Sequence, residues 1–334
     1  MRYLVFLLTT ALMPAVFAVG VCAQINPPMV DQQRDAEKES YFATFTDLKR
    51  FPSADSRRKA YEAAIEYLKR FGGDEDPDAR RVRDYVTEYE RPGRQLEILN
   101  SYKSKNYAKT FELGRAGLEH DQENFFILSV LTKAGIENTQ SGNTNLNEPT
   151  LEYARKALAL LESGKVTKPE PFNDLNEGRG FLNVAVGALI REKSPVEAAK
   201  AFRKAVQSDS VYRTDPLTYH RLGIAILRGE FAQLTKEYSE KYQKQPPSAA
   251  QQEMLARISK LGLQALDAYA RAVALSDRPD PSSEPNTNVS GTKLPPEIRN
   301  KILEQLTSLY KGFHNNSDAG LKELISTVLS KPLP

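Results

Sequence analysis

The residue types that most often carry catalysis are sparse in this sequence. Its three histidines, His120, His220 and His314, are scattered and lack the HxxxH and HExxH spacings that place two zinc ligands on one helix face. Cys22 is the single cysteine, so the chain has no second thiol for a disulfide or a metal site. The segment from Gly178 to Gly180 lacks the lysine and the spacing of a phosphate-binding loop. We therefore predict no metal site, no cofactor and no nucleotide site.

Carboxylates offer a second route to catalysis. The acidic run from Asp74 to Asp76 lies between Gly73 and Pro77, which favours a solvated turn. A glycan hydrolase needs two carboxylates facing each other across a cleft, and no such pair is indicated. An envelope hydrolase or glycan-processing enzyme using an acidic pair stays the alternative function. It would be favoured by two carboxylates that converge in a pocket with raised pKa values.

The charge pattern is balanced. The 334 residues include 46 Lys and Arg and 43 Asp and Glu, and no long block of one sign interrupts them. A nucleic-acid-binding arm would need such a basic block, so we predict no nucleic-acid partner. With 40% hydrophobic residues the chain is long and apolar enough to bury a sizeable core, which excludes disorder throughout.

The N-terminus has the pattern of a secretory signal peptide. Arg2 precedes an apolar run from Tyr3 to Val21, and small residues then lead to a cleavage site after Ala23. An uncleaved membrane anchor is the alternative, although Pro14 interrupts the run. We predict a signal peptide over 1 to 23, export to the periplasm or the extracellular space, and no membrane span after cleavage. Cleavage after Ala23 would also remove the only cysteine, which suits an oxidising compartment.

The rest of the chain reads as helices. Residues 24 to 37 are polar and contain paired prolines, which predicts a linker. From 38 to 276 apolar residues recur at spacings of three and four, with Gly and Pro mainly between the periodic segments. No stretch shows comparable alternation of apolar and polar residues, so the predicted fold class is all-α. A Pro, Ser and Asn-rich linker follows over 277 to 294, and a helical hairpin over 295 to 330.

A repeated pattern of small and large residues lies within the helical region. Segment 181 to 206 contains two amphipathic helices, and Ala198, Phe202 and Ala205 share one face of the second. Small residues on both sides of a large one let a neighbouring helix approach closely. The same series returns as Ala265, Tyr269 and Ala272, and segment 219 to 231 supplies a matching first helix whose shared face is formed by Tyr219, Leu222, Gly223 and Ile226.

These positions resemble the tetratricopeptide repeat of exported bacterial proteins, over about residues 95 to 276. The resemblance implies an α-solenoid whose first helices line a concave groove for a protein or peptide, which is binding without turnover. A purely structural oligomer subunit is a further alternative. The hairpin at 295 to 330 is predicted to cap the solenoid.

One repeat departs from the family pattern. Gly223 and Ala265 are 42 residues apart, whereas a repeat of about 34 residues would place these two positions about 12 apart. We therefore predict an insertion near 231 to 260. Such an insertion can contribute to binding or can be a tolerated surface loop, and the sequence leaves both open.

The resemblance also implies which side chains face the groove. They are Asn183, Gly187 and Arg191 in one repeat and His220, Ile224 and Arg228 in the next. The two arginines could hold a carboxylate of the partner bidentately, and Asn183 and His220 could add hydrogen bonds. The alternative is that both arginines are ordinary charges at the ends of helices, where the helix dipole favours them.

Overall fold

A computed structural model describes residues 31–51, 53–243, 245–278 and 294–333. The predicted signal peptide and nearly all of the predicted linker at 277 to 294 lie outside these residues. Within the described ranges the regular structure is helical and contains no strand. The helices are, in chain order, α1 (Asp31–Lys49), α2 (Ala54–Phe71), α3 (Pro77–Lys103), α4 (Tyr107–His120), α5 (Phe125–Gln140), α6 (Asn147–Glu162), α7 (Leu175–Ile190), α8 (Pro195–Gln207), α9 (Pro216–Ile226), α10 (Ala232–Tyr242), α11 (Ala249–Ser276), α12 (Pro296–Phe313) and α13 (Leu321–Thr327).

The chain divides into two compact units, and the boundary between them along the sequence falls within α3. The first unit ends at Tyr89 and the second begins at Glu90. In the first unit α1 packs on α2, and its buried core is mainly aromatic and alanine, namely Phe45, Ala64, Tyr67, Phe71, Ala79 and Val82. This unit therefore has a hydrophobic core of its own.

The prediction of a linker over 24 to 37 is wrong for its last seven residues, because α1 begins at Asp31. Arg34 pairs with Asp74 at 2.7 Å, and Glu37 pairs with Arg70 at 2.8 Å. The polar composition of this stretch suggested solvation. In the folded chain several of these polar side chains are instead held by charges from the end of α2 and the turn after it.

The acidic run after α2 is likewise more than a solvated turn. Lys38 of α1 pairs with both Asp74 and Asp76. Asp76 also accepts hydrogen bonds from the backbone N–H groups of Asp78 and Ala79, at 2.9 and 3.1 Å, and so caps the N-terminus of α3. The Lys38 ammonium and these N–H groups lower the pKa of Asp76 to about 2. The carboxylate form of Asp76 thus links α1 to the start of α3.

We expect the first unit to lose stability as the pH falls from about 4 to about 2. A carboxyl whose pKa is lower in the folded state stabilises the fold above its unfolded pKa, here 3.8, and this contribution disappears as the pH falls through the folded value. Hydrogen exchange of peptides from residues 31 to 89, corrected for intrinsic rates, measures the loss.

Asp76→Asn is the matched variant, because asparagine still caps a helix but cannot pair with Lys38. Its protection should be below that of wild type at pH 7, and the difference should shrink as the pH falls and vanish below about pH 2. Equal protection at both pH values would show that the pairing with Lys38 stabilises nothing.

In the second unit the helices pack on their neighbours in sequence order. Each helix from α4 to α8 contacts the next one along the chain, α9 contacts α11, and α11 contacts α12. This sequential packing is consistent with the predicted α-solenoid. The core follows it continuously from Ile98 to Val328.

Glycines permit the closest helix approaches in this unit. A Cβ atom on Gly187 of α7 would lie 2.8 Å from the Phe202 ring of α8, and one on Gly223 of α9 would lie 2.9 Å from the Tyr269 ring of α11. Both distances are too short for a real side chain, so only glycine fits without displacing the ring. The residues that indicated repeats are buried at these contacts, with Phe202 fully buried and Tyr269 3% exposed.

The segment predicted as an insertion, 231 to 260, lies between two helices that pack on each other. A π-helical turn over Leu227–Phe231 leaves α9, α10 follows, and the first half of α11 returns the chain. Gly223 and Ala265 come together despite their separation, since a Cβ atom on Gly223 would be 3.4 Å from the Ala265 carbonyl oxygen. The inserted residues are therefore themselves mostly helical.

The end of the chain packs on α11. Both α12 and α13 contact this helix. Arg271 of α11 is 3% exposed, pairs with Asp267 at 2.7 Å and donates to the backbone carbonyls of Lys331 and Pro332 at 3.0 and 2.5 Å. A buried arginine thus fastens the C-terminal segment.

Candidate functional site

A small cavity between the ends of α7 and α9 contains both of the predicted groove arginines. Arg191 follows the last residue of α7, and Arg228 lies in the π-helical turn after α9. The cavity has a volume of about 200 Å³, and Ile224 and Ala225 form its apolar wall. We call it the arginine cavity, lined by Arg191, Glu192, Arg221, Ile224, Ala225 and Arg228.

Arg221 is the third guanidinium of this cavity. It lies on α9 and makes no hydrogen bond or ion pair with any residue that the structure describes. Burial lowers the pKa of Arg221; Asp215 opposes that shift and the charge of Arg191 adds to it. An arginine nevertheless stays charged at any physiological pH. The cavity therefore holds a half-buried cation whose charge no counter-ion in the described residues neutralises.

Glu192 is the only carboxylate in the lining. Its oxygens lie 3.0 and 3.2 Å from Nη1 of Arg228, and one of them lies 3.3 Å from Nε of Arg191. These pairs are solvated, since the side chains of Arg191 and Arg228 are 48% and 60% exposed. Exposed ion pairs contribute only about 0 to 1 kcal/mol, so an incoming anion can replace Glu192 at little cost. The lining thus contains three cations and one weakly held anion, which gives the cavity an excess of positive charge.

Three of the residues predicted to face the groove, Asn183, Gly187 and His220, do not line the arginine cavity. Gly187 packs against the Phe202 ring of α8 instead. Asn183 is buried, and its amide donates to the Arg179 carbonyl one turn earlier in α7 at 2.9 Å. His220 faces α12, where its Nε2 lies 2.9 Å from Oε1 of Gln305 and its ring packs edge-on against Tyr269. Burial lowers the pKa of His220. The structure therefore brings together Arg191 and Arg228 and assigns Asn183 and His220 to packing contacts.

Two charged lining residues, Arg221 and Glu192, were not predicted, nor was the apolar Ala225. Arg221 precedes Arg228 by seven residues, which in a helix places both on one face, so the spacing contained this information. Glu192 gave no such indication, because its pairing with Arg228 spans 36 residues and depends on how α7 and α9 are placed. The position of Arg221 could thus be predicted from its spacing to Arg228, whereas the position of Glu192 depends on the tertiary structure.

Other chemistry has little support among the described residues. They contain no group of three or more His, Cys, Asp or Glu side chains placed to hold a metal ion. The carboxyls whose pKa values shift, Asp55, Glu66, Asp74 and Asp76, all shift downward because Lys or Arg side chains bond to them. The alternative of a hydrolase with an acidic pair requires an upward shift, and no observation favours it.

Comparison with known proteins gives no relative. No family model matches this chain, and no curated protein or solved structure matches it. Among the described helices, none is both long enough and apolar enough to cross a membrane. Function must therefore be inferred from the residues and their geometry.

Proposed function

We propose that this chain is an exported helical-repeat scaffold of the tetratricopeptide type, which binds a partner protein or peptide through an anionic group of that partner. The observation that supports this most directly is the arginine cavity, in which Arg191, Arg221 and Arg228 surround one space with only Glu192 as counter-ion. Guanidinium groups donate paired hydrogen bonds in the geometry that a carboxylate accepts.

The size of the cavity favours a macromolecular partner. Small-molecule sites usually measure about 300 to 1,000 Å³, and this cavity is smaller, at about 200 Å³. It suits a single carboxylate-bearing side chain or chain terminus that belongs to something larger. The rest of such a partner would lie along neighbouring helices, as the resemblance to tetratricopeptide repeats implies.

The charge of Arg221 provides a physical reason for binding an anion. Arg221 is half-buried and has no paired counter-ion in the described part of the chain, and Asp215 offsets the cost of burial only in part. The free protein therefore leaves its charge poorly solvated. A partner carboxylate would supply that counter-ion and displace Glu192 from Arg228. The expected location, periplasmic or extracellular, rests on residues 1 to 23 of the sequence.

The test is affinity capture from envelope extracts with quantitative mass spectrometry. We expect a protein that the wild-type chain retains and that Arg191→Ala, Arg228→Ala loses, with an affinity lower by roughly a hundredfold once the pair is purified. This estimate assigns about 1.5 kcal/mol to each charge-assisted interaction.

The matched control is Arg115→Ala, Arg155→Ala, which removes two exposed arginines from α4 and α6. It should retain the partner at wild-type affinity. If the folded double variant at Arg191 and Arg228 binds as tightly as the control, the arginine cavity is not the site. The inserted segment at 231 to 260 would then be tested next.

A further inference from the structure

A larger cavity lies in the C-terminal part of the second unit, between α11, α12 and α13. Its volume is about 990 Å³, at the upper end of the range for small-molecule sites. We call it the C-terminal cavity. Its apolar lining is formed by Ala274, Leu303, Leu321, Ile325 and Leu329.

The interior of the C-terminal cavity is effectively apolar. It contains three hydroxyl side chains, and each already donates to a backbone carbonyl of its own segment. Thr307 donates to Leu303 at 2.7 Å, Ser326 to Glu323 at 2.9 Å and Ser330 to Thr327 at 2.7 Å. The hydroxyl protons are thus not available to a ligand. An occupant gains mainly by burying apolar surface.

Charges are confined to the rim, where cations remain in excess. Arg299 donates to both carboxylate oxygens of Asp277, at 2.5 and 2.8 Å, and Asp318 lies 3.9 Å from Lys311. The other two rim cations, Arg278 and Lys322, are exposed, and neither pairs with a carboxylate among the described residues. A ligand of complementary charge must therefore end in an anion.

We propose that the C-terminal cavity binds an amphiphile with an aliphatic body and one anionic head, with the chain against Leu303, Ile325 and Leu329 and the head at Arg278 and Lys322. The aliphatic body matches an interior without free donors, and the anion matches the two unpaired rim cations. A carboxylate and a phosphate head share this chemistry. The site includes no residue of the arginine cavity, so it is independent of the function proposed above.

The probes are dodecanoate, dodecyl phosphate and dodecanol, added to the full chain below their aggregation concentrations and measured by displacement of a dansylated undecanoate. We expect saturable binding of one dodecanoate or dodecyl phosphate per chain, and the tighter of the two identifies the head group. Dodecanol should bind roughly tenfold more weakly, because it lacks the charge.

Two variants test the location. Arg278→Glu, Lys322→Glu should weaken dodecanoate roughly tenfold and leave dodecanol unchanged, whereas Lys301→Glu on the outer side of α12 should change neither. Ser326→Trp places a bulky ring in the cavity from an exposed position and should weaken all three probes. The proposal is overturned by the absence of saturable binding, by equal affinity for dodecanol and dodecanoate, or by unchanged affinities in both cavity variants.

Discussion

Ala198→Trp and Ala265→Trp should each lower the thermal midpoint of the protein markedly. Both alanines are fully buried, and Ala265 lies where α11 meets Gly223 of α9 at close range. An indole has no space at such a contact and must displace a helix or neighbouring side chains. Overpacking of this kind costs about 1 to 3 kcal/mol and occasionally more.

The control for these substitutions is Ala256→Trp, which adds the same ring at an exposed position of α11. Thermal unfolding followed by far-UV circular dichroism measures all three variants. We expect the midpoint of Ala256→Trp to stay close to that of wild type. If the buried variants melt like this control, the close helix contacts that support the tetratricopeptide proposal do not contribute to stability.

Replacing Arg221 should change stability and binding in opposite directions. Arg221→Met keeps much of the length and the apolar stem of the side chain but removes a half-buried charge that Asp215 offsets only in part. Removing a poorly compensated charge from a partly buried site is stabilising, here by about 1 kcal/mol given its partial exposure. Binding of the captured partner should weaken by more than about tenfold, because the site loses one of its three cations.

If Arg221 had only a structural role, its replacement would not raise the thermal midpoint while weakening partner binding. Arg155→Met is the matched control, because Arg155 is exposed on α6 and lies outside the cavity. It should leave both the midpoint and the partner affinity unchanged. A lower midpoint for Arg221→Met would contradict the view that this charge is held at a cost to the fold for the sake of binding.

Glu192→Gln is a third variant that tests the arginine cavity. Glutamine keeps the size of the side chain and removes the charge that competes for Arg191 and Arg228. We therefore expect tighter partner binding, by a fewfold, because an exposed ion pair no longer has to be displaced. Weaker binding in this variant would show that the partner contacts Glu192 itself, and the partner's group would then be cationic.

The periodic spacing of apolar residues was enough to predict the helical class and the helix faces that allow close approach. Ala198, Phe202 and Ala205 share a face in any helix, and a large residue between small ones needs a glycine or alanine opposite it. Gly223 lies opposite Tyr269 in the structure, and Gly187 lies opposite Phe202, although Gly187 was predicted to face the groove. The same regularity places Arg221 and Arg228 on one face, so local geometry alone contained two of the three cations.

Contacts between distant segments could not be read in this way. The helix start at Asp31 depends on partners such as Asp74 and Arg70, which lie more than thirty residues away. The polar composition of that stretch is equally compatible with solvent. Its charged side chains favour the packed helix only when α2 and the turn after it provide side chains of opposite charge.

Local periodicity thus defines the helices, the small-large-small helix faces and the spacing between Arg221 and Arg228. Which polar side chains meet depends on the packing of whole helices. His220 turns towards Gln305 of α12 instead of the arginine cavity, and Glu192 reaches Arg228. The physical reason is that backbone periodicity is local, whereas the direction from which a polar group finds its partner depends on how whole helices pack.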